Sequence, residues 1–211
     1  MLERKQFETT IAGKKFVVEL NTIVAQANGS VMVTLGETTV LATAVISRGM
    51  RESLDFFPLV VDYEEKYYAT GRILGSRFVR REGRPSQEAI LTGRLIDRTI
   101  RPLFDHRIRN DVQVVTSTLS LDDKHSPDIV AMIASSLAIA TSDIPWNGPV
   151  GAVRIGMVEG KLIVNPTYEE REQATLDLIV AGAHSYINML EGKAKEISEE
   201  DFLKAGELAL P

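Results

Sequence analysis

The sequence predicts an α+β domain of two layers, with mixed sheets and helices packed on one side. Three observations predict it. The first third consists of Val- and Thr-rich runs that suit pleated, half-buried surfaces. Two stretches in the middle, 86–100 and 126–141, carry helix-start signals ahead of apolar runs. The order of elements is many strands, helix, strand, helix, strands, helix, so helices are grouped rather than alternating with every strand. No internal repeat or low-complexity linker divides the 211 residues, so one domain spanning 1–211 is expected.

Phe7–Ile11 and Lys15–Leu20 read as strands joined by a turn at Ala12-Gly13-Lys14. Ile23–Ala27 and Val31–Leu35 flank Asn28-Gly29, a strong hairpin signal. Thr39–Ile46 follows Gly36-Glu37, and Phe56–Tyr63 reads as a further strand. Gly71 to Pro85 has no period and reads as a loop. Ser86 is placed to cap a helix running to about Ile100, with Pro102 at its end. Leu91, Leu95, Ile96, Ile100 and Leu103 form its expected core face. Val112–Leu121 returns to strand alternation. Ser126-Pro127-Asp128 offers a capping hydroxyl, a first-turn proline and an acid at the positive end of a helix dipole. Ile129–Thr141, apolar almost all round, reads as a buried helix. Val150–Val158 and Lys161–Val164 flank Glu159-Gly160 as a hairpin. Leu176–Ala181 and Ile187–Glu191 complete the strands, and Ser198 caps a last helix. The sequence stops at Pro211 within that predicted helix, which predicts a longer protein.

Composition narrows the function. With 44% hydrophobic and 25% charged residues, the chain can build a core. No apolar run approaches the ~20 residues of a membrane span, and Met1-Leu2-Glu3-Arg4-Lys5 lacks the apolar stretch of a signal peptide. The absence of cysteine excludes a disulfide framework and a thiolate metal site. A cytoplasmic protein without membrane contact is expected. His106, His125 and His184 are not spaced as a metal pair, and neither a P-loop nor a dinucleotide fingerprint is present. Asp122, Asp123 and Asp128 read as turn and capping residues.

The net charge of −5 argues mildly against nucleic acid, yet it hides an asymmetry. Arg72 to Arg109 holds ten arginines, no lysine and four acids, hence +6, leaving −11 for the rest. Within it, Phe78 precedes Arg80, Arg81 and Arg84 between glycines. An aromatic face stacks on an unpaired base, and guanidinium groups fork onto phosphates. A solvated loop with Phe78 tucked into the core fits the same residues. Further on, Arg94, Arg98 and Arg101 fall within a ~60° arc of the predicted helix. They form either one basic surface with the loop or a stripe paired with Asp97, Glu88 and other acids. Arginine serves phosphate and buried ion pairs equally well, so composition leaves both open.

These residues resemble a known family. Phe78-Val79-Arg80-Arg81-Glu82-Gly83-Arg84-Pro85-Ser86, Gly93-Arg94-Leu95-Ile96-Asp97-Arg98 and Ile100-Arg101-Pro102-Leu103-Phe104 are similar to the first RNase PH-like core domain of the polynucleotide phosphorylase family. So are Ser126-Pro127-Asp128-Ile129-Val130-Ala131-Met132-Ile133 and Asn147-Gly148-Pro149-Val150-Gly151-Ala152. The likeness runs from about Phe7 to Glu207.

The resemblance implies an enzyme with two RNase PH-like domains joined by a helical segment, then RNA-binding domains. Three chains form a ring around a channel. The enzyme degrades mRNA from the 3′ end, using inorganic phosphate to release nucleoside diphosphates. It implies that the phosphate and Mg²⁺ sites belong to the second core domain, so no cofactor is expected in this chain. The implied partners are single-stranded RNA, the other copies of a homotrimer, and components of an RNA-degradation complex. Phe78, Arg80 and Arg81 stand at the positions of a loop that grips RNA, and Arg84, Arg94, Arg98 and Arg101 extend the RNA-binding set. Val79 stands where the family often has a second aromatic. The active domain's hydroxyl-rich phosphate loop reads Lys124-His125-Ser126-Pro127-Asp128 here, and Pro127 has no amide to offer. The active domain's Asp-x-Lys reads Asp177-Leu178-Ile179, with an isolated acid on an apolar strand. Both departures imply an RNA-binding domain without catalytic residues. Two alternatives remain: a self-sufficient single-domain RNase PH-type exoribonuclease, which would need an arginine near position 125, and an inactive ring scaffold subunit.

Overall fold

The computed structural model of the chain describes residues 5–20, 24–73, 75 and 83–210. Among the described residues, ten strands form two sheets. The larger has the order β1 (Lys5–Ile11), β2 (Lys14–Leu20), β3 (Gly29–Leu35), β4 (Thr38–Met50), β6 (Asn110–Ser120), β5 (Leu59–Glu65). Its pairs are antiparallel except β5 with β6, which are parallel. A parallel pair needs a long crossover, and helix α1 (Gln87–Ile100) lies within it. The smaller sheet is antiparallel, ordered β10 (Tyr186–Ala194), β9 (Leu176–Ala183), β7 (Val150–Val158), β8 (Lys161–Val164).

β3 and β4 alternate, burying Val31, Val33 and Leu35 and then Thr38, Val40, Ala42 and Ala44 on one face. Helix α2 (Asp128–Ala140) lies on that face and meets β7 on its other side, so it is buried nearly all round. α1 covers β5 and touches α2. The helices therefore sit on one side of the large sheet, as predicted. The small sheet adds a layer that the two-layer expectation did not include. Val150, Ala152, Ile179 and Ala181 from it share one core with Val31, Val40, Met132 and Ile139. Its opposite face, with Ile155, Leu176, Leu178 and Val180, packs on Ala205 of helix α4 (Glu199–Ala209).

Several local readings hold. The Ser86 side chain accepts a hydrogen bond from the Ala89 amide at 3.0 Å and caps α1, and Ser198 caps α4 in the same way. Ser86→Ala is expected to cost about 1 kcal/mol, a fall of a few degrees in Tm that thermal unfolding would register. Glu159 and Gly160, at φ 49° and 75°, form the expected two-residue turn between β7 and β8.

Others are corrected. Asn28-Gly29 is not a hairpin: residues 24–26 form a turn, and Gly29 opens β3 opposite Ala44. The glycine answers to packing instead, because a Cβ there would lie 2.0 Å from the Ala138 carbonyl oxygen in α2. Pro127, not Ser126, is the N-cap of α2 and has no side-chain cap. The Asp128 carboxylate accepts from the Ile129 amide at 2.8 Å. Leu91 is 61% exposed, because α1 turns Ala89, Gly93 and Ile96 inward rather than that edge. Helix α3 (Tyr168–Gln173) was not anticipated, although Thr167 and Glu170 form a capping box that the T-x-x-E spacing advertises. No helix among the described residues is long and apolar enough to cross a membrane.

Candidate functional site

β5 and β6 run parallel, so both end at one edge of the large sheet, and α1 and α2 begin there. Tyr63, near the end of β5, donates its hydroxyl to the Glu65 carboxylate at 3.1 Å and accepts from the Thr118 hydroxyl at 3.2 Å. Partial desolvation, then the nearby carboxylates of Glu88 and Asp128, raise the Glu65 carboxyl above its ordinary range. The end of β5 and the starts of α1 and α2 thus lie close together, despite the mutual repulsion of these carboxylates.

The arginines read from the sequence separate into groups. Phe78, Arg80 and Arg81 lie outside the described residues. Arg84 is exposed just before the Ser86 cap, and Arg94 is exposed on α1 with no ion pair among the described residues. Arg98 pairs with Glu191 of β10 at the surface, both side chains more than half exposed. A pair so exposed is worth about 0–1 kcal/mol, so a phosphate can displace it. Arg101 is committed. It forks onto Asp97 at 2.8 and 2.6 Å and donates to the Phe57 and Leu59 carbonyls at 3.3 and 3.1 Å. It also lies 5.9 Å from the Phe57 ring centroid. Its work is to fasten the end of α1 to the start of β5.

The second constellation is buried. Arg154 of β7 binds Asp177 of β9 at 2.6 Å and Asp128 at the start of α2, while Arg171 of α3 binds the other Asp177 oxygen at 3.1 Å. Arg171 also lies 5.5 Å from the Tyr168 ring centroid. Burial alone would raise the Asp177 carboxyl, but the two guanidinium groups hold it below the usual range. Asp177 is thus not an isolated acid, as the sequence reading had it. The missed signal was Arg154 itself, a charge inside the apolar run Val153-Arg154-Ile155, which requires a buried partner. Ile179, at the lysine position of the resemblance, is 5% exposed and belongs to the main core.

His125 holds the loop before α2. Its Nδ1 lies 2.9 Å from the Asp122 carboxylate and its Nε2 meets the Lys14 amine. Asp122 also accepts the Lys124 and His125 amides at 3.0 and 2.7 Å, the turn role expected of it. Among the described residues, no group of three or more His, Cys, Asp or Glu could hold a metal ion.

Comparison with known proteins agrees with this architecture. Residues 12–145 match the 3′ exoribonuclease family, domain 1, and residues 148–210 match domain 2 of that family. The polyribonucleotide nucleotidyltransferase of Alkaliphilus oremlandii is 51% identical over 201 residues, covering 95% of this chain and 28% of the relative. Those of Pseudothermotoga lettingae and Streptococcus pneumoniae are 49% and 51% identical, covering 95% and 97% of this chain. The chain spans little more than a quarter of such relatives, 28% and 27% of the last two. The crystal structure of rice (Oryza sativa) Rrp46 shares the fold, with a TM-score of 0.70 at 18% identity over 97% of this chain and 86% of that one. The family's two matched segments take in every strand of the two sheets except β1, together with the residues of the buried ion cluster, and on that match the chain belongs to the 3′ exoribonuclease family.

Proposed function

We propose that this chain is the RNA-gripping, non-catalytic core domain of a phosphate-dependent 3′–5′ exoribonuclease that releases nucleoside diphosphates. One observation carries the reading: Asp177 has both carboxylate oxygens engaged by Arg154 and Arg171. Phosphoryl transfer needs a cation aimed at the charge that develops on phosphate. Here the two arginines are neutralised by Asp128 and Asp177, and Ile179 supplies no charge. Nor do these residues suit Mg²⁺, since the oxygens it would need are engaged by guanidinium groups. In the whole protein, phosphate and Mg²⁺ belong to the second core domain.

RNA meets the opposite kind of surface. Arg84 and Arg94 are exposed, and Arg98 can exchange Glu191 for phosphate. Phe78, Arg80 and Arg81 enter the proposal through the resemblance, and Arg101 supports the helix that presents the others. The whole protein acts in mRNA degradation as a cytoplasmic homotrimer with other RNA-degradation components.

The test is phosphorolysis of labelled poly(A) by the chain with Mg²⁺ and phosphate, beside a binding titration over salt. Salt-dependent binding without nucleoside diphosphate release is expected. Release would replace this reading with a self-sufficient RNase PH-type enzyme. Arg80→Ala with Arg81→Ala is expected to lower the slope of log K against log salt by roughly 0.7 per lost phosphate contact. An unchanged slope would mean that neither arginine meets phosphate.

A further inference from the structure

We infer that the short turn Tyr67–Thr70 presents a stacking platform for bases of a single-stranded polyribonucleotide, with Tyr68 and Tyr67 as its aromatic faces. The inference rests on the RNA-gripping reading above and adds a contact that does not depend on charge.

The turn follows β5 directly as one turn of 3₁₀ helix. Tyr68 is 57% exposed and Tyr67 48%, so two adjacent aromatic side chains are presented to solvent on a chain with only five tyrosines. Their backbone is firmly held. Gly71, at φ 70°, closes the turn by donating its amide to the Tyr67 and Tyr68 carbonyls. The Thr70 hydroxyl and the Arg72 amide donate to the Tyr67 carbonyl at 3.0 and 3.2 Å. The Leu121 amide donates to the Ala69 carbonyl at 3.0 Å and pins the turn to the end of β6. A tyrosine on such a scaffold offers a large flat face with only two side-chain torsions to immobilise, so little ordering opposes binding.

The position also fits RNA. The turn stands at the sheet edge where α1 and α2 begin, since Glu65, two residues earlier, lies close to Glu88 and Asp128. Arg72 follows the turn and Arg84 precedes the α1 cap. Both are exposed, and neither has an ion pair among the described residues. Exposed aromatic faces followed in the chain by the exposed guanidinium group of Arg72 match a strand whose bases stack while its phosphates meet cations, in a way that tolerates any base.

The experiment titrates the chain with a short oligoadenylate carrying 2-aminopurine, at several salt concentrations. Tyr67→Ala with Tyr68→Ala is expected to weaken binding roughly five-fold or more and to reduce the change in 2-aminopurine fluorescence. The slope against salt should stay as in the wild type, because no phosphate contact is lost. Tyr67→Phe with Tyr68→Phe should restore both affinity and fluorescence change, which a merely structural role for the hydroxyls would not. Circular dichroism confirms that each variant is folded. Wild-type affinity in the alanine pair overturns the platform, and so does a changed oligomeric state at unchanged affinity. If Arg84→Ala weakens binding while the alanine pair does not, only the platform falls. If the wild type itself fails to bind, the RNA-gripping reading falls and the platform with it.

Discussion

Asp177→Asn is expected to destabilise the chain by about 3–5 kcal/mol, because removing one partner of a buried ion pair strands the other. Arg154 is almost fully buried and would keep Asp128 alone, while its Nε already lacks a partner among the described residues. Arg171 would lose its partner as well. In a chain of this size the loss corresponds to roughly 10 °C or more in Tm. The effect is pH-dependent with a definite sign. The folded Asp177 carboxyl lies below its ordinary range, so its contribution is present above the unfolded value of about 3.9 and is lost as pH falls through the folded one. The gap between wild type and variant should therefore be full at neutral pH and narrow below about pH 4. Denaturant titrations at both ends measure it. A loss below about 1 kcal/mol at neutral pH would mean that the cluster is not the buried network described.

Gly29→Ala is expected to be as damaging for a different reason. The new methyl group would lie 2.0 Å from the Ala138 oxygen and 2.9 Å from the Ser142 Cβ. The nearer atom is backbone in the last turn of α2, a helix held between two sheets. Overpacking usually costs about 1–3 kcal/mol, and here the obstacle is main chain, so about 3 kcal/mol or more is expected. Gly151→Ala serves as the control. It sits in β7 with nothing within 4 Å of an added Cβ, and its change should stay within about 0.5 kcal/mol. Equal Tm values for the two variants would refute the close approach.

The elements that the sequence revealed are those whose cause is local. Ser86 and Ser198 act within a few residues of themselves, and the Gly36-Glu37 and Glu159-Gly160 turns need only their own backbone conformations. The misreadings share an opposite cause. Gly29 imitates a turn residue but answers to a helix more than a hundred positions away. Asp177 looked isolated because its partners stand on β7 and α3. The candidate site divides in the same manner. A helical wheel groups Arg94, Arg98 and Arg101, yet only the folded chain shows that Asp97, Phe57 and Leu59 have claimed the last of them. Tyr67 and Tyr68 drew no notice because a strand followed by tyrosines gives no sign of whether they are covered.

The crossover between β5 and β6 has one more implication, for how such a chain can change over generations. The stretch from Lys66 to Ser86 joins two fixed points, a turn pinned to β6 and a capped helix start. Loop-closure entropy grows slowly with length, by only about 0.6 kcal/mol for each doubling of a connection between fixed ends. By that measure a change of length between those two ends costs folding little, whereas a single methyl group at Gly29 costs much. Selection can retune how the surface holds its ligand while the architecture beneath is inherited unaltered.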